Sequence, residues 1–119
     1  MMYVDFHAGD KDYKLRLSTR NIVMLEKQLG CNPLSVHRDS NGRDRMPTAA
    51  EMVQFLHCAL LQFNHGISLD DAYDIFDAWL DEDHCYEDFL ILMMEVYEVS
   101  GMIKKGTLAQ AISKNAKNA

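Results

Sequence analysis

Twice in this chain a hydroxyl side chain stands three positions before an acid and directly ahead of an apolar stripe, at Thr48–Glu51 and at Ser68–Asp71. That spacing is a capping box: the hydroxyl accepts from the backbone amide three residues on, and the acid reaches back to the amide of the hydroxyl residue. Each box fixes a helix start, so the middle of the chain is committed to helices. After the first box Met52, Phe55, Leu56, Ala59, Leu60 and Phe63 recur at i, i+3, i+4, i+7, i+8 and i+11, one broad apolar stripe on a helix over 48–65 that ends near Gly66. After the second, Ala72, Ile75, Phe76, Trp79 and Leu80 repeat the spacing on a helix over 69–81. The two read as a helical hairpin.

The flanks follow different periods. Val4 and Phe6, then Tyr13, Leu15 and Leu17 opposite Lys14 and Arg16, alternate in period two, which predicts a β-hairpin over 3–17 turning at Ala8-Gly9-Asp10-Lys11. Two strands alone are marginal in water, so their apolar face must pack on the helices. Ser18 or Thr19 can cap a helix over 19–29 carrying Ile22, Leu25 and Leu29, and Gly30 closes it. Cys31 to Pro47 has no sustained period and reads as a loop, or a short helix followed by one, with a turn-rich run from Asp39 to Arg45. A last helix over 86–105 holds Phe89 to Met94, Val96, Tyr97, Val99, Met102 and Ile103, with Gly101 inside it and Lys104 and Lys105 at its negative end. Its apolar positions cover more than one stripe, which predicts a central helix with a residual interface. Residues 106–119 read as a flexible C-terminal tail. The expected fold is mainly α with a small N-terminal β-hairpin, a compact bundle of about four helices in a single globular domain over 1–105.

Composition narrows the classes of function. The 119 residues carry 12 basic against 18 acidic side chains, a net charge of −6, with 48% hydrophobic and 25% charged residues. Such a chain is ordered, and an excess of carboxylates argues against a nucleic-acid partner. It has no run of 18 apolar residues, and its amino terminus lacks the basic head and apolar core of a secretory signal, so no membrane partner and a cytoplasmic location are expected.

Residues able to do chemistry are present but wrongly spaced. An EF-hand loop begun at Asp81 would need glycine where Tyr86 stands and glutamate where Leu92 stands. His57 and His65 are two helical turns apart, too far along one helix to share an ion, and the acids at Asp74, Asp77, Asp81 and Asp83 read as a solvated face. Cys31, Cys58 and Cys85 form no Cys-x-x-Cys pair and read as free buried thiols, with Cys58 at or near the core. No nucleophile elbow or glycine-rich phosphate cradle occurs. The expectation is a protein that is not an enzyme and takes no cofactor or metal. What remains is surface for protein partners: Leu90, Met93, Met94, Tyr97 and Met102 on the last helix, and Arg38, Arg43 and Arg45 in the loop. Methionines at helical spacing also suit a core, and the arginines also suit a solvated loop.

Taken in order, the hairpin, the run from Tyr13 to Thr19 leading into Leu25-Glu26-Lys27-Gln28-Leu29-Gly30, and two capped helices with Ser68-Leu69-Asp70-Asp71-Ala72 resemble the tail assembly chaperones of long-tailed phages and the related gene transfer agent proteins. The likeness spans roughly residues 3–105. It implies a small helical holdase that binds the tape-measure protein, with the tail tube protein as a further partner, and that self-associates. On that resemblance Leu90, Met93, Met94 and Tyr97 would face client or copy. The rival reading is a small acidic regulatory or inhibitory module that presents Asp70, Asp71, Asp74, Asp77 and Asp81 to a basic host protein.

Overall fold

The computed structural model describes residues 2–107, and the structure below is that of these residues. The elements run β1 (Val4–Ala8), β2 (Lys11–Leu15), α1 (Thr19–Leu29), a 3-10 turn (Pro33–His37), α2 (Ala49–Leu61), α3 (Leu69–Leu80) and α4 (Tyr86–Val99). A mainly helical protein with an N-terminal antiparallel hairpin is what the sequence periods call for. Of the tail over 106–119, all but Gly106 and Thr107 lies outside the described residues.

The hairpin pairs Val4 with Leu15, Phe6 with Tyr13 and Ala8 with Lys11, and Gly9 takes the positive φ of 62° that its two-residue turn requires. Val4, Phe6, Ala8, Leu15 and Leu17 point into the core. The strand leaves the hairpin along α2, where the Arg16 amide donates to the Ala59 carbonyl at 3.1 Å. One step later the Leu17 amide donates to the Ser100 hydroxyl at 2.9 Å, tying the hairpin to the end of α4.

Both capping boxes form. The Glu51 amide donates to Thr48 Oγ1 at 3.1 Å while Glu51 accepts from the Thr48 amide at 2.8 Å. Ser68 and Asp71 exchange the same pair at 3.0 Å each. Ser18 rather than Thr19 caps α1, accepting from the Asn21 amide at 3.2 Å, and Gly30 ends that helix in the left-handed conformation at φ 73°.

Three expectations about the helices are corrected. The central helix is α2, not α4: α2 buries Met52, Val53, Phe55, Leu56, Cys58, Ala59 and Leu60 and packs against α1, α3, α4 and β2. Helix α4 buries one stripe only, Phe89, Met93, Val96 and Tyr97, at i, i+4, i+7 and i+8. It also stops at Val99 rather than running to Lys105. Gly101 is the stop signal: at φ 79° its amide donates to the Glu98 carbonyl at 3.2 Å and the Met102 amide to the Tyr97 carbonyl at 2.9 Å, a Schellman closure. The two lysines therefore lie beyond the helix end. Helix α2 likewise ends at Leu61 instead of residue 65: the Leu60 carbonyl gathers the Asn64 amide at 2.9 Å and the Asn64 side chain at 3.0 Å, and Gly66 turns the chain at φ 91°.

Candidate functional site

The five side chains expected to meet a partner split into two groups. Met93 and Tyr97, one turn apart, lie on the inward stripe of α4 and are buried, so neither forms part of a binding surface in this conformation. Leu90 and Met94, also one turn apart, lie half-buried on the adjoining flank, and Met102 sits half-buried just past the helix end against the core. Ile91, on the outward side of the helix, is the most open apolar residue of α4 at 43% exposure. It borders an open depression of about 390 Å³ with Phe6, Trp79 and Leu92, where Asp5, Asp88 and Glu95 supply carboxylates. Burial and the charge of Glu98 push the Glu95 carboxyl above its usual range. The candidate site is thus the outward side of α4, with Leu90 and Met94 on one flank and Ile91 leading into an acid-bordered depression on the other.

A polar network behind α4 holds the helix in place. The Tyr97 hydroxyl shares a hydrogen bond with His37 Nε2 at 2.7 Å and lies 3.4 Å from the Pro33 carbonyl. His37 Nδ1 is buried without a partner, and burial of the ring lowers the His37 pKa. Burial likewise raises that of Tyr97. Beside them Arg45 donates to the Val36 carbonyl at 2.6 Å and grips both Glu51 oxygens, at 2.9 and 3.3 Å. Burial works against the charge on Glu51, but the Thr48 amide and Arg45 outweigh it and hold the carboxyl low. Arg45 is therefore an internal tie, not the exposed loop cation the sequence suggested, and Arg38 lies 3.5 Å from Asp44. Of this network only the Thr48–Glu51 capping box is legible in the sequence. Tyr97 was legible only as one more apolar position, and His37 stands in a stretch without period.

A second tie closes the other end of the molecule. Glu82, between α3 and α4, accepts from the Gly9 amide at the hairpin turn and lies 3.8 Å from His7 Nε2. His7 Nδ1 is 2.7 Å from Asp12, and that hydrogen bond is the chief reason the exposed imidazole has a raised pKa.

The remaining reactive residues are dispersed. Cys58 is fully buried and its thiol is pushed up to about 11 by burial, which keeps it protonated and inert. Cys31 and Cys85 are exposed rather than buried, because each stands at the end of a helix and not on its inner stripe. His57 Nε2 donates to the Ile67 carbonyl at 2.8 Å and braces the turn between α2 and α3. Among the described residues no three His, Cys, Asp or Glu side chains gather as metal ligands, and no helix is long and apolar enough to cross a membrane.

Residues 4–118 match a family of unknown function, DUF6096, and the chain belongs to that family. The match takes in the hairpin, all four helices and the α4 edge. No curated protein and no solved structure matches the chain.

Proposed function

We propose that this DUF6096 protein is a tail assembly chaperone of the long-tailed phage type, which binds the tape-measure protein in the host cytoplasm and keeps it soluble during tail morphogenesis. The observation that carries the reading is the outward side of α4, where Ile91 stands open at the rim of a depression floored by Phe6 and Trp79, and the half-buried Leu90 and Met94 line the opposite flank. Leaving Leu-sized side chains in water forgoes about 1.5–3 kcal/mol each when exposure is full, so such a side favours an apolar helix laid along it. A long helical client is insoluble through the same kind of surface. Binding its apolar face lowers the population of unprotected chain by mass action, with no catalytic step. The hairpin-and-helix architecture also agrees with what the resemblance to those chaperones implies.

The test is co-expression with the long helical reading frame downstream of its gene, followed by affinity capture at low and high salt. The chaperone reading expects a complex that survives raised salt and a client that stays soluble. Absence of capture at both salts, with the client insoluble as before, would overturn it. The second reading, an acidic regulatory binder, draws on the exposed carboxylates Asp70, Asp74, Asp77 and Asp81. It expects a complex with a basic partner that is lost as salt rises, because exposed charges are screened within about 10 Å at 0.1 M.

A further inference from the structure

Away from the α4 edge, two helices carry ridges of the same spacing and opposite character. On α1 the ridge is Arg20, Val23, Met24 and Lys27, and on α3 it is Asp70, Tyr73, Asp74 and Asp77, each at i, i+3, i+4 and i+7. All eight residues are exposed, with Val23 at 42%, Met24 at 37% and Tyr73 at 45%. Seven residues of helix put the end charges of either ridge about 10.5 Å apart. Among the described residues none of Arg20, Lys27, Asp70, Asp74 and Asp77 takes part in an ion pair. The ridges face outward because each helix turns its other side to the core, α1 through Leu25 and α3 through Ala72, Phe76 and Trp79.

We infer that the α1 ridge of one copy docks on the α3 ridge of a second copy. With the helices antiparallel, Arg20 meets Asp77, Lys27 meets Asp70, and Val23 and Met24 cover the Tyr73 ring. Asp74 adds a third carboxylate to the field that the two cations enter. The donor and acceptor ridges lie on different helices, so each docking leaves one ridge of either kind free and the contact is heterologous, able to extend into a ring or an open row. A single helix pair is at the small end of interface size, which makes the association concentration-dependent. This inference does not rest on the client reading, which concerns α4 and a salt-resistant contact.

The test is light scattering of the full-length protein over a concentration series at low salt and at 1 M salt. The wild-type mass is expected to rise past that of a dimer at low salt and to fall back toward the monomer at high salt. Arg20→Glu with Lys27→Glu, and separately Asp70→Lys with Asp77→Lys, each give two ridges of like charge and stay monomeric alone. Mixed one to one, these variants restore unlike ridges between copies and recover the mass growth. Val23→Ser with Met24→Ser, which leaves the charges in place, lowers association at least several-fold with an unchanged melting curve. A wild type that is monomeric at every concentration, oligomers indifferent to all three variants, or a mixture that stays monomeric would overturn the inference.

Discussion

Tyr97 places a phenol in the core and uses its one hydroxyl to tie down both ends of a single 3-10 turn, bonding His37 at 2.7 Å and lying 3.4 Å from the Pro33 carbonyl. Removing that oxygen leaves the half-buried imidazole nitrogen without its partner, and a buried polar group left unpaired costs about 1–3 kcal/mol. Tyr97→Phe is therefore expected to lower unfolding free energy by that amount in urea titrations, with most of the loss absent when His37 is already Phe. The two tied histidines respond to pH with opposite sign. Burial holds His37 below its ordinary 6.5, so the unfolded chain binds the proton first and stability falls as pH drops through about 6.5. The Asp12 hydrogen bond raises His7, so its contribution is full below 6.5 and is lost as pH rises through the folded value. Denaturation of His37→Gln between pH 7.5 and 5.5 should show stability rising on acidification, and His7→Gln should show a steeper fall than wild type. Equal slopes in the two variants would contradict this assignment.

Helix ends carry the next level of the account. Thr48→Ala removes the hydroxyl half of a formed capping box and is expected to cost about 1 kcal/mol, read as a melting point lower by about 4 °C. Gly101→Ala forces a side chain into a positive φ and should cost a similar amount, about 1 kcal/mol, while fraying the last turn of α4. These features differ in how legible they were. The capping boxes and the hairpin turn are local chemistry, decided by residues within three or four positions, and they form where the sequence puts them. The end of α4 was misread because Met102 and Ile103 continue an apolar pattern across Gly101, although the glycine at the end of the helix closes it. Which helix is central was not legible either. Period reports which face of a helix is apolar but not how many neighbours cover it, and α2 gains its place from packing on three helices and the hairpin. The same limit divided the candidate site: Met93 and Met94 are adjacent in sequence, yet a rotation of about 100° puts one in the core and leaves the other at the edge.

At the scale of the whole molecule, one core joins Phe6, Phe55, Phe76, Trp79 and Phe89 through ring contacts that link the hairpin, α2, α3 and α4. The outward side of α4 is therefore backed by this core, and a truncation such as Phe89→Ala, at about 3–5 kcal/mol, would weaken the whole fold and say nothing of the surface. The surface must be tested where the fold is spared. Leu90→Glu with Ile91→Glu places charges on the outward side of α4 and replaces no residue packed against the core, and Arg43→Glu in the exposed loop serves as a remote control. The direct measurement is high-salt capture of the co-expressed tape-measure chain by wild type, the edge variant and the loop variant, each with its melting curve. The edge variant should lose at least tenfold of the capture seen with wild type while melting close to it, and the loop variant should capture as wild type does. Undiminished capture by a folded edge variant would contradict the claim that α4 holds the client.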